Sequence, residues 1–393
     1  VALDAAQDGT IRMGGDAVLA AGDGIRMASV TALDVVTGGT ASVISNELDV
    51  SVDSAVRGSM DSLSVGVSDD ATVSVGDDLT VNAKDVRVRG EGDFDLRTSG
   101  AGTVSSNSVD MSVDAGLSVS AGGAVGITSA SVDVSSSTSV AVSTGSLSLD
   151  SAAATEVFSG TSLTATTTTL EAHSAEDTAL TAGGRVTTTS ADATVNVGDT
   201  LDVSAAKTRV RNSGVVDVFA KEGTRLTSTD MAMSVGDEVQ ILGGNEVVLT
   251  TETLALNADT SAGISARGMA MSVNDALTAT VGSATTVTST DVNVDAGDDI
   301  TLSGVDAAKV EMATVQVTTA SGLTAEVGTE TSVVSQALKV DVVSDTKVST
   351  ADMALEASGT MSVSGQESLT VSAGTVALDA AQDGTIRMGG DAV

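Results

Sequence analysis

The segment Ala71–Asp93 reads ATVSVGDDLTVNAKDVRVRGEGD. Apolar and polar residues alternate in ATVSV and LTVNA, and a period of two is typical of a strand with one side facing a core. Val and Thr favour an extended backbone because they branch at Cβ. The steps between the alternating stretches contain Gly and Asp, which are common in turns. The segment therefore predicts short strands that alternate with tight turns.

The same strand–turn repeat continues along the chain, and no segment of helical length has an apolar period of 3.6. Successive strands begin seven or eight residues apart at Leu170, Thr178, Val186, Ala193, Leu201, Thr208 and Val216. The average is about 7.6 residues, so three repeats make a coil of about 23. VDMSV at Val109 and VDVSS at Val132 are separated by the same interval (132 minus 109), which fits such a coil. These spacings predict an all-β chain.

Longer repeats overlie this rhythm. Val1–Val18 is identical to Val376–Val393, which gives a period of 375 (376 minus 1). A weaker period of 122 relates ATVSVGDDLTVNA at Ala71 to ATVNVGDTLDVSA at Ala193 (193 minus 71). The period of 375 is three times 122 plus nine, and it predicts one continuous repeat domain over residues 1–393.

A three-residue pattern, in which one apolar residue is followed by any residue and then by a second apolar residue, recurs at intervals of 38 or 46 residues, after a first interval of 47. Because it always opens an alternating stretch, it predicts a structural core column. Its members are Leu48, Phe94, Val132, Leu170, Val216, Leu254, Val292, Leu338 and Val376.

Tandem repeats of strand and turn favour a solenoid, because each coil contacts only its neighbours and the array can extend indefinitely. A propeller closes after a few blades and does not suit such an array. We therefore predict an elongated, three-sided β-helix, or β-solenoid. Two versions fit: one chain that winds every coil, or three chains intertwined as a homotrimer. The interval between VDMSV and VDVSS favours the single chain.

The strand–turn rhythm of ATVSVGDDLTVNAKDVRVRGEGD resembles the octad-like β-helical needles of phage spikes and type VI secretion spike proteins. The single-chain version is similar to the stalks of filamentous bacterial adhesins. These resemblances imply a giant tandem-repeat fibre protein, in which a segment of this kind supplies length.

Composition excludes several classes of site and partner. The chain has no Cys, which excludes disulfides and zinc–thiolate sites. Its net charge of −35 disfavours nucleic acid and anionic membrane surfaces, and no apolar run is long enough for membrane insertion. Trp and Tyr are absent, although sugar-processing clefts rely on aromatic side chains. We therefore predict that the chain is not an enzyme and has no catalytic or cofactor-binding residues.

Candidate sites are few. His173 is the only His, and no partner recurs at offsets of 122 or 244, so we expect it at the surface. The turns Gly76–Asp78, Gly198–Asp199, Gly236–Asp237 and Asp295–Asp299 cluster carboxylates. Weak Ca²⁺ binding is one interpretation, although the calcium motifs of β-rolls and EF-hands are missing. Because Asp is a common turn former, a purely structural role without metal is the favoured interpretation.

Two further patterns involve Arg and Thr. Arg87, Arg89, Arg209 and Arg211 occupy alternate strand positions, which predicts either a basic stripe for a neighbouring filament or, preferably, local ion pairs. Thr164–Ala172 and Val186–Thr194 are Thr-rich and resemble the Thr rows of ice-binding solenoids, which need Thr-x-Thr repeated in register. Because Thr does not keep that register across coils, we predict that it serves as a strand former without such a row.

These observations predict a structural repeat of a long extracellular filament, stalk or appendage at the cell surface. Its expected partners are further copies of the same repeat, end to end, side by side or as a homotrimer. The alternative is the stalk of an adhesin or phage-type tail fibre whose binding tip lies outside this segment.

Overall fold

A computed structural model describes residues 2–5, 9–13, 17–21, 24–29, 32–37, 40–244, 246–258, 261–273, 277–281, 284–296, 300–304, 307–319, 323–327, 330–342, 345–365, 368–380 and 384–388. The chain divides into two compact units, an N-terminal unit Val1–Gly198 and a C-terminal unit Asp199–Val393. The described residues form strands and turns without a helix, and therefore no helix that could cross a membrane. That the chain is one continuous domain over 1–393 stays a prediction.

Strands follow one another along the N-terminal unit, separated by short turns. They are β1 (Ala2–Ala5), β2 (Gly9–Met13), β3 (Ala17–Ala20), β4 (Gly24–Ser29), β5 (Ala32–Thr37), β6 (Thr40–Ser45), β7 (Glu47–Val52), β8 (Ala55–Val67), β9 (Ala71–Val75), β10 (Leu79–Gly90), β11 (Phe94–Thr98), β12 (Gly102–Ser105), β13 (Ser108–Val113), β14 (Leu117–Ala121), β15 (Ala124–Ser129), β16 (Ser131–Ser136), β17 (Ser139–Ser151), β18 (Thr155–Ser159), β19 (Ser162–Ser174), β20 (Thr178–Ser190) and β21 (Asp192–Val197).

The C-terminal unit continues the series, with more of the long strands. They are β22 (Thr200–Asn212), β23 (Val216–Ala220), β24 (Gly223–Val235), β25 (Glu238–Gly243), β26 (Glu246–Ala258), β27 (Ser261–Val273), β28 (Leu277–Val281), β29 (Ala284–Ala296), β30 (Ile300–Gly304), β31 (Ala307–Thr319), β32 (Leu323–Val327), β33 (Glu330–Val342), β34 (Asp345–Ser349), β35 (Asp352–Gly365), β36 (Ser368–Ser372), β37 (Thr375–Ala380) and β38 (Gly384–Met388).

Parallel pairing arranges the strands of the N-terminal unit into three ladders. Ladder 1 joins β1, β4, β7, β9, β11, β14, β17, β19 and β20. Ladder 2 joins β2, β5, β8, β10, β12, β15, β17, β19 and β21. Ladder 3 joins β3, β6, β8, β10, β13, β16, β18 and β20. A long strand such as β17 bends through a corner and so belongs to two ladders.

The pairing register gives the length of one coil. Leu48 pairs with Ala71, and Phe94 pairs with Leu117, each at an offset of 23 along the same chain (71 minus 48 and 117 minus 94). The offset falls to 22 where a corner is one residue shorter, as between Ala124 and Ser146. Each strand therefore pairs with the same chain one coil away. This register confirms the prediction of a β-solenoid and corresponds to its single-chain, three-sided version.

The C-terminal unit follows the same scheme. Met231 pairs with Leu254 and Leu254 with Leu277, again at an offset of 23 (254 minus 231 and 277 minus 254). Two further ladders run through β23–β25–β27 and through β24–β26–β27. This unit is therefore also a three-sided solenoid of parallel strands.

Alternation places one apolar row of each strand inside the coils. Val109 and Val113, at the two ends of such a row in β13, are 1% and 2% exposed, and Val197 and Val247 are 1% and 0% exposed. Burial of a Val side chain contributes about 1.5–3 kcal/mol relative to leaving it in water. These small residues fit a narrow core, and Phe94 is a large side chain buried in it.

Buried hydroxyl groups close the corners between strands. Ser159 ends β18 and is 0% exposed. Its Oγ lies 2.9 Å from the carbonyl oxygen of Thr138 in the preceding coil and 2.8 Å from that of Ser162 beyond the corner. The same arrangement recurs at Ser136, Thr144, Thr167, Ser174 and Ser228. Ser and Thr are therefore corner residues as well as strand formers, a role that periodicity alone did not reveal.

The predicted core column is distributed over all three sides of the coil. In the N-terminal unit, Leu48 and Phe94 lie on ladder 1, Val132 on ladder 3 and Leu170 on ladder 2. The longer interval of the column, between Leu48 and Phe94, equals two full coils, so these residues share a ladder. The shorter interval equals one coil and two further strand–turn repeats, so it moves the motif to another side.

The burial of the column residues varies along the chain. Buried members are Leu48, Phe94, Val132, Val216, Leu254 and Leu338. Leu170 is half-buried, whereas Val376 is 50% exposed in β37. The side chain of Val292 lies outside the described residues.

Candidate interaction surface

Ion pairs connect neighbouring coils on the outer surface. Arg87 of β10 pairs in register with Asp110 of β13, one coil later, and its Nε lies 3.3 Å from Asp110 Oδ2. Nη2 of Arg89 lies 3.9 Å from the same oxygen. All three side chains are more than a third exposed, so each pair contributes little, at most about 1 kcal/mol. The predicted local ion pairs are therefore confirmed for Arg87 and Arg89.

Most of the other pairs follow the coil length. Cation and carboxylate are one full coil apart in Arg26–Asp49, Arg57–Asp34, Lys207–Asp230 and Arg225–Asp202. The remaining Arg residues of the predicted stripe, Arg209 and Arg211, pair in register with Ala232 and Ser234 of the next coil, neither of which has a carboxylate. A comparison of the sequence with itself at the coil length would have found these ion pairs, whereas comparisons at the longer repeat intervals would not.

Three carboxylates follow one another on ladder 3. Asp110 pairs with Asp133 and Asp133 with Glu156 in successive coils. Burial raises the pKa of the Asp133 carboxyl, and the charges of Asp110 and Glu156 raise it further. The raised pKa means that the folded protein binds this proton more tightly than the unfolded chain does. Stability therefore falls as the pH rises through the interval above the ordinary pKa of 3.8.

We expect Asp133→Asn to raise the free energy of unfolding at pH 7 by about 0.5–1 kcal/mol, because it removes two like-charge contacts between neighbouring strands. Urea unfolding at a series of pH values tests this. The gain should disappear at a pH well below 3.8, where Asp133 is protonated in both the folded and the unfolded state. Ser135→Asn, two residues further along the same strand, is a control that changes size without charge. A loss of stability in Asp133→Asn at pH 7 would contradict this interpretation.

The Gly–Asp turns use their carboxylates to bind the backbone of the next coil. Asp78 Oδ1 accepts the backbone N–H of Ala101 at 2.8 Å, and Asp93 Oδ1 accepts that of Gly116 at 2.7 Å. Each bond joins one coil to the next, so the carboxylates help to stack the corners. In the part of the chain that the structure describes, no three acidic, His or Cys side chains form a group suited to a metal ion. Weak Ca²⁺ binding remains an untested prediction.

The other predicted turns are placed as follows. Gly198–Asp199 and Gly236–Asp237 are bends that connect strands. The loop residues of Asp295–Asp299, Gly297, Asp298 and Asp299, lie outside the described residues. His173 is exposed on ladder 2, between Asp150 and Asn196 of the neighbouring coils.

Part of one side of the N-terminal unit carries almost no charge. It consists of β14 and of residues 139–144 of β17, 162–167 of β19 and 185–190 of β20, which are consecutive rungs of ladder 1. We call the outer surface of these four segments the neutral face. Among its outward residues, each half-buried or exposed, are Ser118, Ser120, Ala141, Ser143, Thr164, Thr166, Thr187 and Thr189.

The neutral face corrects the prediction about Thr. Thr164 pairs in register with Thr187, and Thr166 pairs with Thr189, so two adjacent coils carry Thr-x-Thr in alignment. The preceding coils carry Ser and Ala at the same positions. The prediction that Thr keeps no register is therefore wrong for these two coils. Residues on one side of the solenoid are one coil length apart in the sequence, and Thr164 and Thr187 are separated by this interval (187 minus 164).

Carboxylates of the same coils lie on the other two sides. Residues 117–191 contain Asp133, Asp150, Glu156, Glu171, Glu176 and Asp177. Asp133 and Glu156 lie on ladder 3, and Asp150 and Glu171 lie on ladder 2. Glu176 and Asp177 occupy the turn between β19 on ladder 2 and β20 on ladder 3. Sequence reasoning missed this segregation, although writing the sequence in rows of one coil each would have revealed it.

The neutral face ends at an ion pair. In the coil before β14, Asp95 and Arg97 of β11 pair in register with Ser118 and Ser120, and Arg97 Nη2 lies 2.7 Å from Asp95 Oδ2. Arg185 is the single charged residue within the four described segments of the neutral face.

A comparison of the chain with protein-family models, curated proteins and solved structures finds no match.

Proposed function

We propose that this chain is a structural repeat of a long extracellular filament, stalk or appendage at the cell surface, without catalytic activity. The observation that carries the proposal is the identity of Val1–Val18 with Val376–Val393 in a chain of parallel stacked coils. In a solenoid each coil presents a strand edge on which the next coil pairs. Tandem copies therefore extend the fold without a new type of contact.

The inter-coil contacts support a mechanical role. Within each unit, coils are bonded to one another by three parallel ladders, and in the N-terminal unit also by the corner hydroxyls of residues such as Ser159 and by turn carboxylates such as Asp78. Backbone bonds, corners and ion pairs all repeat along the direction of stacking. Further copies end to end are the partners that fit this arrangement.

The adhesin or phage-type fibre stalk is the second candidate, and it rests on the resemblance of the strand–turn rhythm to those families. Both candidates use this segment for length and differ in what lies beyond it. The full gene distinguishes them, since a stalk protein carries a separate binding domain at its tip, whereas a filament protein consists mainly of repeats.

Electron microscopy of purified tandem copies tests the proposed function. We expect rods that lengthen by roughly 75–80 Å for each added repeat, because single-chain coils stack at about 4.8 Å. A chain in which each strand–turn repeat adds its own layer, as in an intertwined homotrimer, would lengthen by roughly 230 Å. Tandem chains that form separate globules without a constant increment would contradict the proposal.

A further inference from the structure

We propose that the neutral face is the surface through which two copies of this chain pack side by side. The neutral face is the outer side of four consecutive rungs of ladder 1, from Ser118 to Thr189. The occupant is a second neutral face, so that both partners contribute the same surface. Such an isologous contact is the commonest arrangement in protein dimers.

Charge is the first argument. Two copies, each with a net charge of −35, repel one another. In the coils from 117 to 191, the six carboxylates lie on ladders 2 and 3 or in the turn between them. Approach through ladder 1 therefore keeps these carboxylates away from the partner, whereas approach through the other sides brings them together.

The shape of the neutral face is the second argument. Apart from the exposed Arg185, its outward side chains are Ser, Thr and Ala, which are short and lose less rotamer freedom on ordering than Lys, Arg or Glu. Their backbone is fixed by parallel pairing on both sides within β17 and β19. Hydroxyl groups of Ser143 and Thr166 can donate to and accept from the same groups of a partner. The face is therefore pre-organised for contact with a similar flat surface.

The area of the neutral face sets the strength of the contact. Four rungs at about 4.8 Å and five residues at about 3.3 Å cover roughly 300 Å². A stable interface needs about 800 Å² from each partner, so a single pair of faces binds weakly. In tandem copies the contacts would add through multivalency. This multivalent step rests on the proposed function, whereas the pairing of two single chains does not.

An ordered lattice such as ice is a different occupant, and the observations favour it less. Aligned Thr-x-Thr occupies two coils, at Thr164, Thr166, Thr187 and Thr189, whereas the absence of carboxylates extends over four. The absence of carboxylates thus extends over more coils than the aligned Thr residues do. It lowers electrostatic repulsion most for a partner that carries the same negative charge as this chain.

Cysteine cross-linking tests the pairing, because the chain has no Cys of its own. Ser143→Cys places a thiol on the neutral face, and Ser105→Cys places one at another exposed outward position, on ladder 2. Both replaced residues lie between uncharged neighbours, Ser120 and Thr166 for the first and Asn82 and Thr128 for the second. Under mild oxidation we expect covalent dimers of Ser143→Cys to form about tenfold faster. The reactivity of each thiol toward a small reagent normalises the rates.

A charge placed on the neutral face provides the second readout. Thr166→Glu in the Ser143→Cys chain should return cross-linking to the control rate, whereas Thr128→Glu, at an exposed position on ladder 2, should not. Equal rates for the two cysteine variants, or no effect of Thr166→Glu, would overturn the proposal. A different result would assign the face to an ordered lattice: the chain adsorbs to ice, Thr166→Glu abolishes the adsorption, and Ser143→Cys cross-links no faster than Ser105→Cys. Because the single chain is tested, failure here leaves the micrographs of tandem copies as an independent test of the proposed function.

Discussion

We expect Gly160→Ala to lower the free energy of unfolding by about 3 kcal/mol, because a Cβ at this corner overlaps the backbone of the preceding coil. Gly160 connects β18 to β19, and its backbone N–H donates to the carbonyl oxygen of Ser136 at 2.8 Å. A Cβ built on Gly160 meets the carbonyl oxygen of Ser137, a backbone atom that cannot rotate away. None of the described glycines has a positive φ, so the requirement at this corner is space.

Gly126→Ala is the matched control. Gly126 lies within β15 on ladder 2, and no atom outside its own neighbours comes within 4 Å of a Cβ added there. We expect this substitution to leave stability unchanged or to raise it by about 0.4–1 kcal/mol, because Ala restricts the unfolded chain. Urea unfolding followed by circular dichroism measures both variants.

Hydrogen exchange at the corner supplies a local measurement, since a solenoid can open in part. The amide of Gly160 should lose protection in Gly160→Ala, while amides of distant coils keep theirs. Equal stability of Gly160→Ala and Gly126→Ala would mean that the corner at Gly160 leaves room for a Cβ beside the backbone of the preceding coil, and the steric argument would be wrong.

We expect Val247→Asp to unfold at least the coils around it, with a loss of about 4 kcal/mol or more in the free energy of unfolding, because it buries an unpaired carboxylate. Val247 is 0% exposed and pairs with Thr224 in the preceding coil and Met269 in the next. Neither neighbour can neutralise a negative charge. Val247→Ala separates the effect of lost packing from the effect of the buried charge. It leaves a cavity without a charge and should lower the free energy of unfolding by about 2 kcal/mol.

Val248→Asp is the control one residue further along β26. Val248 is half-buried on the opposite side of the strand and pairs in register with Arg225, whose Nη1 lies 3.5 Å from Asp202 Oδ1. A carboxylate at position 248 gains contact with the Arg225 guanidinium, so we expect a change within about 0.5 kcal/mol.

Thermal unfolding of the three variants tests whether the strand alternates as described. If Val248→Asp destabilised the protein as much as Val247→Asp does, both sides of β26 would be buried, and the assignment of an outer side would be wrong. A loss in Val247→Asp no greater than that in Val247→Ala would mean that solvent reaches the inner row.

Local chemistry made the strands predictable. Alternation of the kind seen in Ala71–Asp93 reports directly which backbone is extended and which residues share a side. The candidate surface was less accessible. Ser143 and Thr166 look like any of the many Ser and Thr residues until the pairing places them in neighbouring coils. Similarly, Arg87 and Asp110 form an ion pair only because the register brings them together.

The sequence by itself determined the strand–turn rhythm, the all-β class and the length of the coil, because each follows from patterns within a few dozen residues. Only the tertiary structure decided which side of the coil each strand occupies. That choice depends on corners, where one residue fewer, as at Gly145, changes the offset from 23 to 22 and keeps each strand stacked on its neighbour. The sequence repeat of 122 residues is not a whole number of 23-residue coils, so similar motifs lie on different sides. The neutral face and the charged sides are therefore consequences of stacking.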